Sequence, residues 1–339
     1  MRSRSLGASG IDVPVVVFGA WAVGGWGWGG RSEESDRAAV AAMRRGLELG
    51  MTAIDTAPVY GFGHSETLVG EAIAGQREQA VVMTKAGLRW DDPRGKVAFE
   101  GVDDRGETRK LRFNSRPDSV RAEAEASLRR LGVEVIDLLQ IHWPDPTTPI
   151  ADTMGALLEL HREGKVRAIG VSNYSPDQME EARRALGGVP LASDQPRYSL
   201  VRREIEADVL PYARETGVGL IVYSPLEQGL LTGKVPAERE FAESDGRSRR
   251  ATFRAQNRAK VNAVLARHLA PVAAAHGATL AQTALAWTLA QPGVTAVIAG
   301  ARSVSQTEEN AAAADLVLTA EEWSTVDRAF RDLDLDLDP

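Results

Sequence analysis

The sequence predicts an α/β chain folded as a (β/α)8 TIM barrel. Three observations point there. Short β-branched runs alternate with longer amphipathic segments, eight times over in 339 residues. No Pro-rich or Gly/Ser-rich stretch divides the chain into halves. Polar residues end successive strands, as they do where strand ends converge on one functional face. The length alone suggests roughly two domains, but barrels routinely exceed that as one unit. A doubly wound open sheet fits the same alternation and is the competing architecture.

Residues 1–14 read as an N-terminal hairpin. Strands are expected near Val15–Gly19, Thr52–Asp55, Ala80–Thr84, Val135–Ile141, Val166–Val171, Leu191–Gln195, Gly219–Tyr223 and Ala296–Ile298. Helices are expected near Glu33–Leu49, Ser65–Ala74, Pro117–Leu131, Ile150–Glu163, Pro176–Leu186, Arg203–Thr216, Ala259–Ala290 (broken around His276–Gly277) and Val304–Ala313. Ser175, Ser303 and Ser115 stand where N-caps belong, and Gly50, Gly132, Gly164 and Gly217 where helices stop. Two connections, 86–114 after strand three and 226–255 after strand seven, are too long for plain turns and suit active-site loops. Residues 314–339 form a C-terminal helical extension with the acidic tail Asp332-Leu-Asp334-Leu-Asp336-Leu-Asp338.

Composition narrows the function. A net charge of −7 argues against nucleic acid as a partner. No run of 18 apolar residues exists, so no membrane span is expected. Residues 1–10 lack the apolar core of a secretory signal, which makes the cytoplasm the expected compartment. The absence of Cys excludes a thiol nucleophile and a Cys-ligated metal, and no metal is expected. Nothing in the sequence speaks to oligomeric state.

Gly25, Gly27 and Gly30 satisfy G-x-G-x-x-G after a strand, and Asp55 ends the next one, as in a Rossmann fold. Trp26 and Trp28 crowd that loop, however, and Ser32-Glu33-Glu34 starts the helix only after the last glycine. A wide loop whose Trp side chains wall a pocket is the favoured reading.

The strand ends carry a coherent chemistry. Strand two gives Asp55 and then Tyr60, strand three Lys85, and strand four His142. An unperturbed phenol titrates near 10, too high for an efficient donor near neutrality. A lysine ammonium beside it is expected to lower that value, and an aspartate would hold the lysine charged. A neutral imidazole can orient a carbonyl oxygen. Singly, Asp55 could cap a turn, Tyr60 sit half-buried, Lys85 be solvated and His142 bond to backbone. Together they suit carbonyl reduction.

With these residues in view, the chain resembles the aldo-keto reductases over nearly its whole length. Asp55-Thr56-Ala57-x-x-Tyr60-Gly61-x-Gly63-x-Ser65-Glu66-x-x-x-Gly70 matches one family signature. Leu128-x-x-Leu131-Gly132-x-x-x-Ile136-Asp137-Leu138, leading to His142-Trp143-Pro144, is similar to a second. Lys165–Asn173, Tyr223-Ser224-Pro225-Leu226 and Gly300-Ala301-Arg302-Ser303-x-x-Gln306-x-x-Glu309-Asn310 complete the set. Residues 21–30 and 229–234 look most like the bacterial general-stress-protein branch.

The resemblance implies Tyr60 as general acid, Lys85 and Asp55 as its tuning pair and His142 as the substrate-orienting group. It implies Ser172, Asn173 and Gln195 at a nicotinamide carboxamide and Tyr223 stacked on the ring. Ser224, Leu226, Gly229 and Lys234 would follow a pyrophosphate. Gly300, Arg302, Gln306, Glu309 and Asn310 would hold an adenosine. Gly300 stands where many members have a lysine for the 2′-phosphate of NADPH, so Arg302 becomes the nearest cation. NADPH is the expected cofactor, with NADH open. The run Arg247, Arg249, Arg250 and Arg254 reads either as a cover on the pyrophosphate, with Arg247 the contact, or as a solvated basic loop. Trp21, counted with the cofactor residues, and Trp26, Trp90 and Trp143 are candidate pocket walls for a small-molecule aldehyde or ketone. Two alternatives stay open: an NADPH-binding sensor or partner subunit with little turnover, and a Rossmann-type dehydrogenase.

Overall fold

A computed structural model describes residues 1–25, 30–103, 106–242 and 245–338. Eight parallel strands close into a ring: β1 (Val16–Gly19), β2 (Ala53–Asp55), β3 (Val81–Ala86), β4 (Ile136–Ile141), β5 (Val166–Val171), β6 (Leu191–Asp194), β7 (Gly219–Tyr223) and β8 (Val294–Gly300). Each pairs with its sequence neighbour, and β8 closes on β1 with Val17 opposite Ile298. The closed ring replaces the open sheet, and the Rossmann reading falls with it. Outside lie α1 (Glu33–Glu48), α2 (His64–Ile73), α3 (Pro117–Leu131), α4 (Ile150–Arg162), α5 (Pro176–Leu186), α6 (Val209–Thr216), α7 (Leu280–Ala290) and α8 (Val304–Ala312).

The strand period of two sorts residues between two cores. Val16, Phe18, Ile54, Val82, Leu139 and Val222 join the layer shared with the helices. Val17, Ala53, Met83, Leu138, Ala168, Ile221 and Ile298 fill the barrel interior. Leu6, Ile11 and Val13 complete that interior. They come from the N-terminal hairpin, in which Ser3–Ser5 pairs antiparallel with Asp12–Pro14. The hairpin turn packs on the amino end of the barrel: a Cβ on Gly7 would lie 2.5 Å from the Ala192 carbonyl.

Helix ends follow local chemistry. Ser32 and Ser175 form capping boxes with Ser35 and Gln178, and Ser303 accepts from the Gln306 amide. Ser115 is not a cap. Arg116 takes that position before Pro117, while the Ser115 amide donates to Asp145 over 2.8 Å. The helix expected over Arg203–Thr216 is a 3-10 turn at Glu204–Glu206 followed by α6, because the Asp208 carboxylate accepts from Val209 N and restarts it. The segment expected over Ala259–Ala290 begins earlier and divides. Ala255–Val264 passes through a π-helical turn at Leu265–Leu269 into Ala270–Ala275, where Pro271 lacks the amide to continue the ladder. The break at Gly277 before α7 is as expected.

Both long connections are ordered where described. After β3, Lys96–Val102 pairs antiparallel with Thr108–Phe113, which also pairs with Leu88–Arg89. After β7 the chain makes short 3-10 turns at Glu227–Thr232, Gly246–Arg249 and Ala251–Phe253. The helix Ala320–Arg331 docks by stacking Trp323 on Trp287, centroids 5.8 Å apart and planes within 5°. The acidic tail then runs along the start of Ala255–Val264, where Lys260 donates to the Asp334 carbonyl and Asn257 to that of Asp336. No helix among the described residues is long and apolar enough to cross a membrane.

Candidate active site

The interior positions that carry methyl groups low in the barrel carry polar groups one pleat higher. Asp55 follows Ala53 by two, Lys85 follows Met83, Tyr223 follows Ile221, and His142 follows Leu138 by four. A two-residue period therefore lifts them all to the carboxyl end on the inward face.

Lys85 and Asp55 are buried there. Lys85 Nζ donates to Asp55 Oδ1 over 2.7 Å and to the Thr56 carbonyl over 3.0 Å. Gln195 Nε2 donates to the other carboxylate oxygen over 2.8 Å. Burial lowers the Lys85 value, and the Asp55 carboxylate opposes that shift. Tyr60 stands over the pair, its ring centroid 5.1 Å from Lys85 Nζ and 5.8 Å from the His142 ring, which it meets edge-on. The Tyr60 phenol differs from expectation. Burial first, and the Asp55 carboxylate second, push it well above its ordinary value of 10, so it holds its proton firmly. The lysine's pull is outweighed. Burial and the Lys85 charge push His142 well below its ordinary 6.5, so it is a neutral imidazole.

The loop carrying Tyr60 is fixed by close backbone contact. Gly61 has φ +64°, and a Cβ there would lie 2.3 Å from the Gly24 carbonyl oxygen. A Cβ on Gly24 would lie 2.8 Å from the Tyr60 carbonyl carbon. Beneath it, Ser65 Oγ donates to the Ala20 carbonyl and meets Thr56 Oγ1, both at 2.9 Å. Glu66 accepts from Thr84 and Arg130, each at 2.6 Å. The signature residues around Tyr60 are thus largely scaffolding.

A cavity of about 1370 Å3 opens above. Asp55, Tyr60 and His142 line one part of it; Lys85 lies beneath the wall. Beside them, Ser172 Oγ donates to the Gln195 carbonyl over 2.7 Å. Asn173 Nδ2 donates to Ser172 Oγ over 3.0 Å and to the His142 carbonyl over 3.3 Å. Tyr223 donates its hydroxyl to Asn173 Oδ1 over 3.1 Å. Asn173 holds this position at φ +60°.

The wall continues through Ser224, Leu226 and Gly229. Ser224, Glu227, Gln228 and Gly229 all have positive φ, the concave backbone form that suits an anion. Arg247 bonds Asp245 and packs over Phe241 at 4.7 Å, and its Nη1 donates to the Gln228 carbonyl over 3.3 Å. Farther on lie Gly300, Arg302, Gln306, Glu309, Asn310 and Lys234. Lys234 pairs with Glu309 at 3.1 Å, Gln306 accepts from the Arg302 amide over 2.9 Å, and Asn310 donates to the Gly300 carbonyl over 3.2 Å.

Of the aromatic candidates, Trp21 and Trp143 line the cavity. Trp90 packs edge-on to Phe62 under the hairpin, centroids 5.6 Å apart. Trp26 lies outside the described residues, as does Gly27 of the glycine motif. Phe99, on the hairpin, also lines the cavity, as do Arg247 and Arg250 of the basic run, and Arg197, Arg202 and Asp338, which sequence reasoning did not place there.

The aldo/keto reductase family profile matches residues 15–331. The aldo-keto reductase YhdN of Bacillus subtilis (strain 168) is 38% identical over 311 residues, covering 91% of this chain and 87% of the relative. The NADH-specific methylglyoxal reductase of Escherichia coli (strain K12) is 37% identical over 324 residues, covering 94% and 95%. A solved glycerol dehydrogenase of Gluconobacter oxydans superposes with TM-score 0.86 at 39% identity, covering 99% of this chain and 97% of that one. An aldo/keto reductase from Klebsiella pneumoniae, solved with NADP and acetate, gives 0.72 at 28% identity, covering 100% and 99%. Matched over nearly its whole length, the chain belongs to the aldo/keto reductase family and is an NAD(P)H-dependent oxidoreductase.

Proposed function

We propose that this enzyme reduces aldehydes and ketones to alcohols with NADPH, Tyr60 supplying the proton. The observation that carries the reading is the convergence of Asp55, Tyr60, Lys85 and His142 at one end of an elongated cavity. At about 1370 Å3 that cavity exceeds the range common for small ligands, roughly 300–1,000 Å3.

The donor set supports a nicotinamide dinucleotide. Tyr223 offers an aromatic face beside the amide and hydroxyl groups of Asn173 and Ser172. The left-handed turn at 227–229, with Arg247 against it, suits a pyrophosphate. Gln195 is already committed to Asp55 through its nitrogen, which leaves its carbonyl oxygen to meet a carboxamide. NADPH is proposed over NADH because Arg302 faces the far end of the cavity, and a guanidinium fork matches a phosphate. When bound, the reduced nicotinamide supplies the hydride.

The chain's own groups supply the rest. Neutral His142 donates a hydrogen bond that orients the carbonyl oxygen. Tyr60, protonated at any ordinary pH, lies within reach of the same oxygen. An alkoxide is a base of about the strength of hydroxide, far stronger than a phenolate. A phenol pushed above 10 still gives its proton to such a base. Lys85 follows the change in charge on Tyr60 from 5.1 Å, and Asp55 keeps that lysine in place. Trp21, Phe99 and Trp143 shield the site from water and favour an apolar carbonyl end.

A panel of aldehydes and ketones, assayed with NADPH and NADH side by side, tests the reading. Tyr60→Phe should lower turnover by about 10²-fold or more. Its affinity for NADPH, read by fluorescence quenching, should stay within about twofold of wild type. Near wild-type turnover in that variant would overturn the role of Tyr60. Tight NADPH binding with no multiple turnover on any carbonyl would favour the sensor alternative.

A further inference from the structure

We infer that the cavity recognises an anionic group, a carboxylate or phosphate, carried by the carbonyl substrate, through Arg250 and Arg202. The inference rests on the carbonyl-reductase reading and names a substrate class for it.

Besides Arg239, Arg247 and Arg302, three further arginines line the cavity, and these three, Arg197, Arg202 and Arg250, are not equivalent. Arg197 is committed to the fully buried Glu227, which it meets with two bonds of 2.6 and 3.2 Å. Arg202 is 5% exposed, yet its contacts are long: 3.5 Å to Glu204 and 3.4 Å to Thr252 Oγ1. Its Nε has no partner. Arg250 is half-buried, and its guanidinium makes no hydrogen bond or ion pair with any described residue.

The nearby acid does not complete the set. Asp338 already accepts from Ala251 N at 2.7 Å, Thr252 N at 3.2 Å and Thr252 Oγ1 at 2.9 Å. Burial and the like charge of Arg197 push the Arg250 guanidinium down against the carboxylates of Asp338 and Glu227. Withdrawing guanidinium donors from water without an acceptor is costly. A planar fork facing a cavity is the geometry that receives carboxylate or phosphate.

This wall adjoins the proposed pyrophosphate turn through the Arg197–Glu227 pair, but the guanidiniums of Arg202 and Arg250 donate to no described residue of that turn. Arg247 reaches Gln228 in that turn, whereas Arg250 lies in the fields of Glu227 and of Tyr223, whose hydroxyl bonds Asn173 beside His142. Arg202 and Arg250, with their unanswered donors, line the same cavity as Asp55, Tyr60 and His142. A neutral aldehyde leaves them unanswered.

The test compares matched carbonyls on the full chain with NADPH: 4-oxobutanoate against butanal, and glyceraldehyde 3-phosphate against glyceraldehyde. Wild type should favour the charged member of at least one pair, and that pair identifies the anion. Arg250→Gln should raise KM for it about tenfold or more, with the neutral member within about twofold. Arg250→Lys should fall between. The dissociation constants of NADPH and NADH should not move. Weaker binding of both cofactors, with the charged-to-neutral ratio unchanged, would assign Arg250 to the cofactor's phosphates and overturn the inference. Equal use of charged and neutral members by wild type would also overturn it. Succinate and inorganic phosphate binding, read by calorimetry, separates the two proposals. If no carbonyl is reduced but either anion binds and Arg250→Gln weakens it, the reductase reading fails and the anion site stands. If neither anion binds, the site fails.

Discussion

Lys85 donates to Asp55 across 2.7 Å at a depth that solvent scarcely reaches, so each charge depends on the other. Removing one partner strands the second. Lys85→Met should destabilise the fold by about 3–5 kcal/mol in urea unfolding, because Asp55 is left as a buried carboxylate. The double change Lys85→Met with Asp55→Asn should regain most of that loss without regaining turnover. A double variant as unstable as the single one would show that packing, not charge, sets the cost.

Tyr60 owes its place to the contact between Gly24 and Gly61. Gly24→Ala would press a methyl group against the Tyr60 backbone at 2.8 Å. The expected outcome is a fall in kcat of about tenfold or more, since misplacement of about 1 Å can cost 10²-fold. Affinity for NADPH should change little. Steady-state kinetics beside a cofactor titration would show it, and an unchanged kcat would mean the loop absorbs the methyl.

At the far end of the cavity two cations are unequal. Lys234 is largely exposed and already paired with Glu309 at 3.1 Å. Because a guanidinium fork matches a phosphate, Arg302→Ala should raise KM for NADPH about tenfold and leave NADH nearly unchanged. Lys234→Ala should do less. Equal losses for NADPH and NADH in Arg302→Ala would remove 2′-phosphate recognition from that residue.

Glu123 sets a pH dependence of stability. It is buried, its Oε2 accepts the Gly87 amide over 2.7 Å, and its Oε1 has no partner. Burial raises it from 4.5 to about 8. Below pH 4.5 folded and unfolded chains both hold the proton. Between 4.5 and 8 only the folded chain does, so this group lowers stability as pH rises, and the loss is complete above 8. Glu123→Gln keeps the acceptor for Gly87 and cannot ionise. Its stability relative to wild type should climb from pH 4.5 to 8 and then level off in urea titrations. A pH-independent difference would refute this assignment.

Much of the fold was legible because its signals are local. The interior strands alternate at a period of two, and Ser32, Ser175 and Ser303 declare their helices. That Asp55, Tyr60, Lys85 and His142 meet was legible because strand ends can be counted. Depth was not. Whether Lys85 lowers the Tyr60 phenol, or burial with Asp55 raises it, depends on how neighbouring strands exclude water. Ser115 looked like a cap in sequence and proved to answer Asp145, 30 positions away. Arg202 and Asp338 reached the cavity wall unannounced for the same reason: Thr252 brings them together across contacts no short window contains.

The N-terminal hairpin has a consequence for traffic. Leu6, Ile11 and Val13 seal the amino end with apolar side chains, so the barrel is a cup and not a pipe. Along the barrel axis, substrate and product must then share one doorway. The same floor insulates the underside of the Lys85–Asp55 pair, where an ingress of water would screen its field. Fourteen residues remote from the chemistry thereby act as its electrical ground plane.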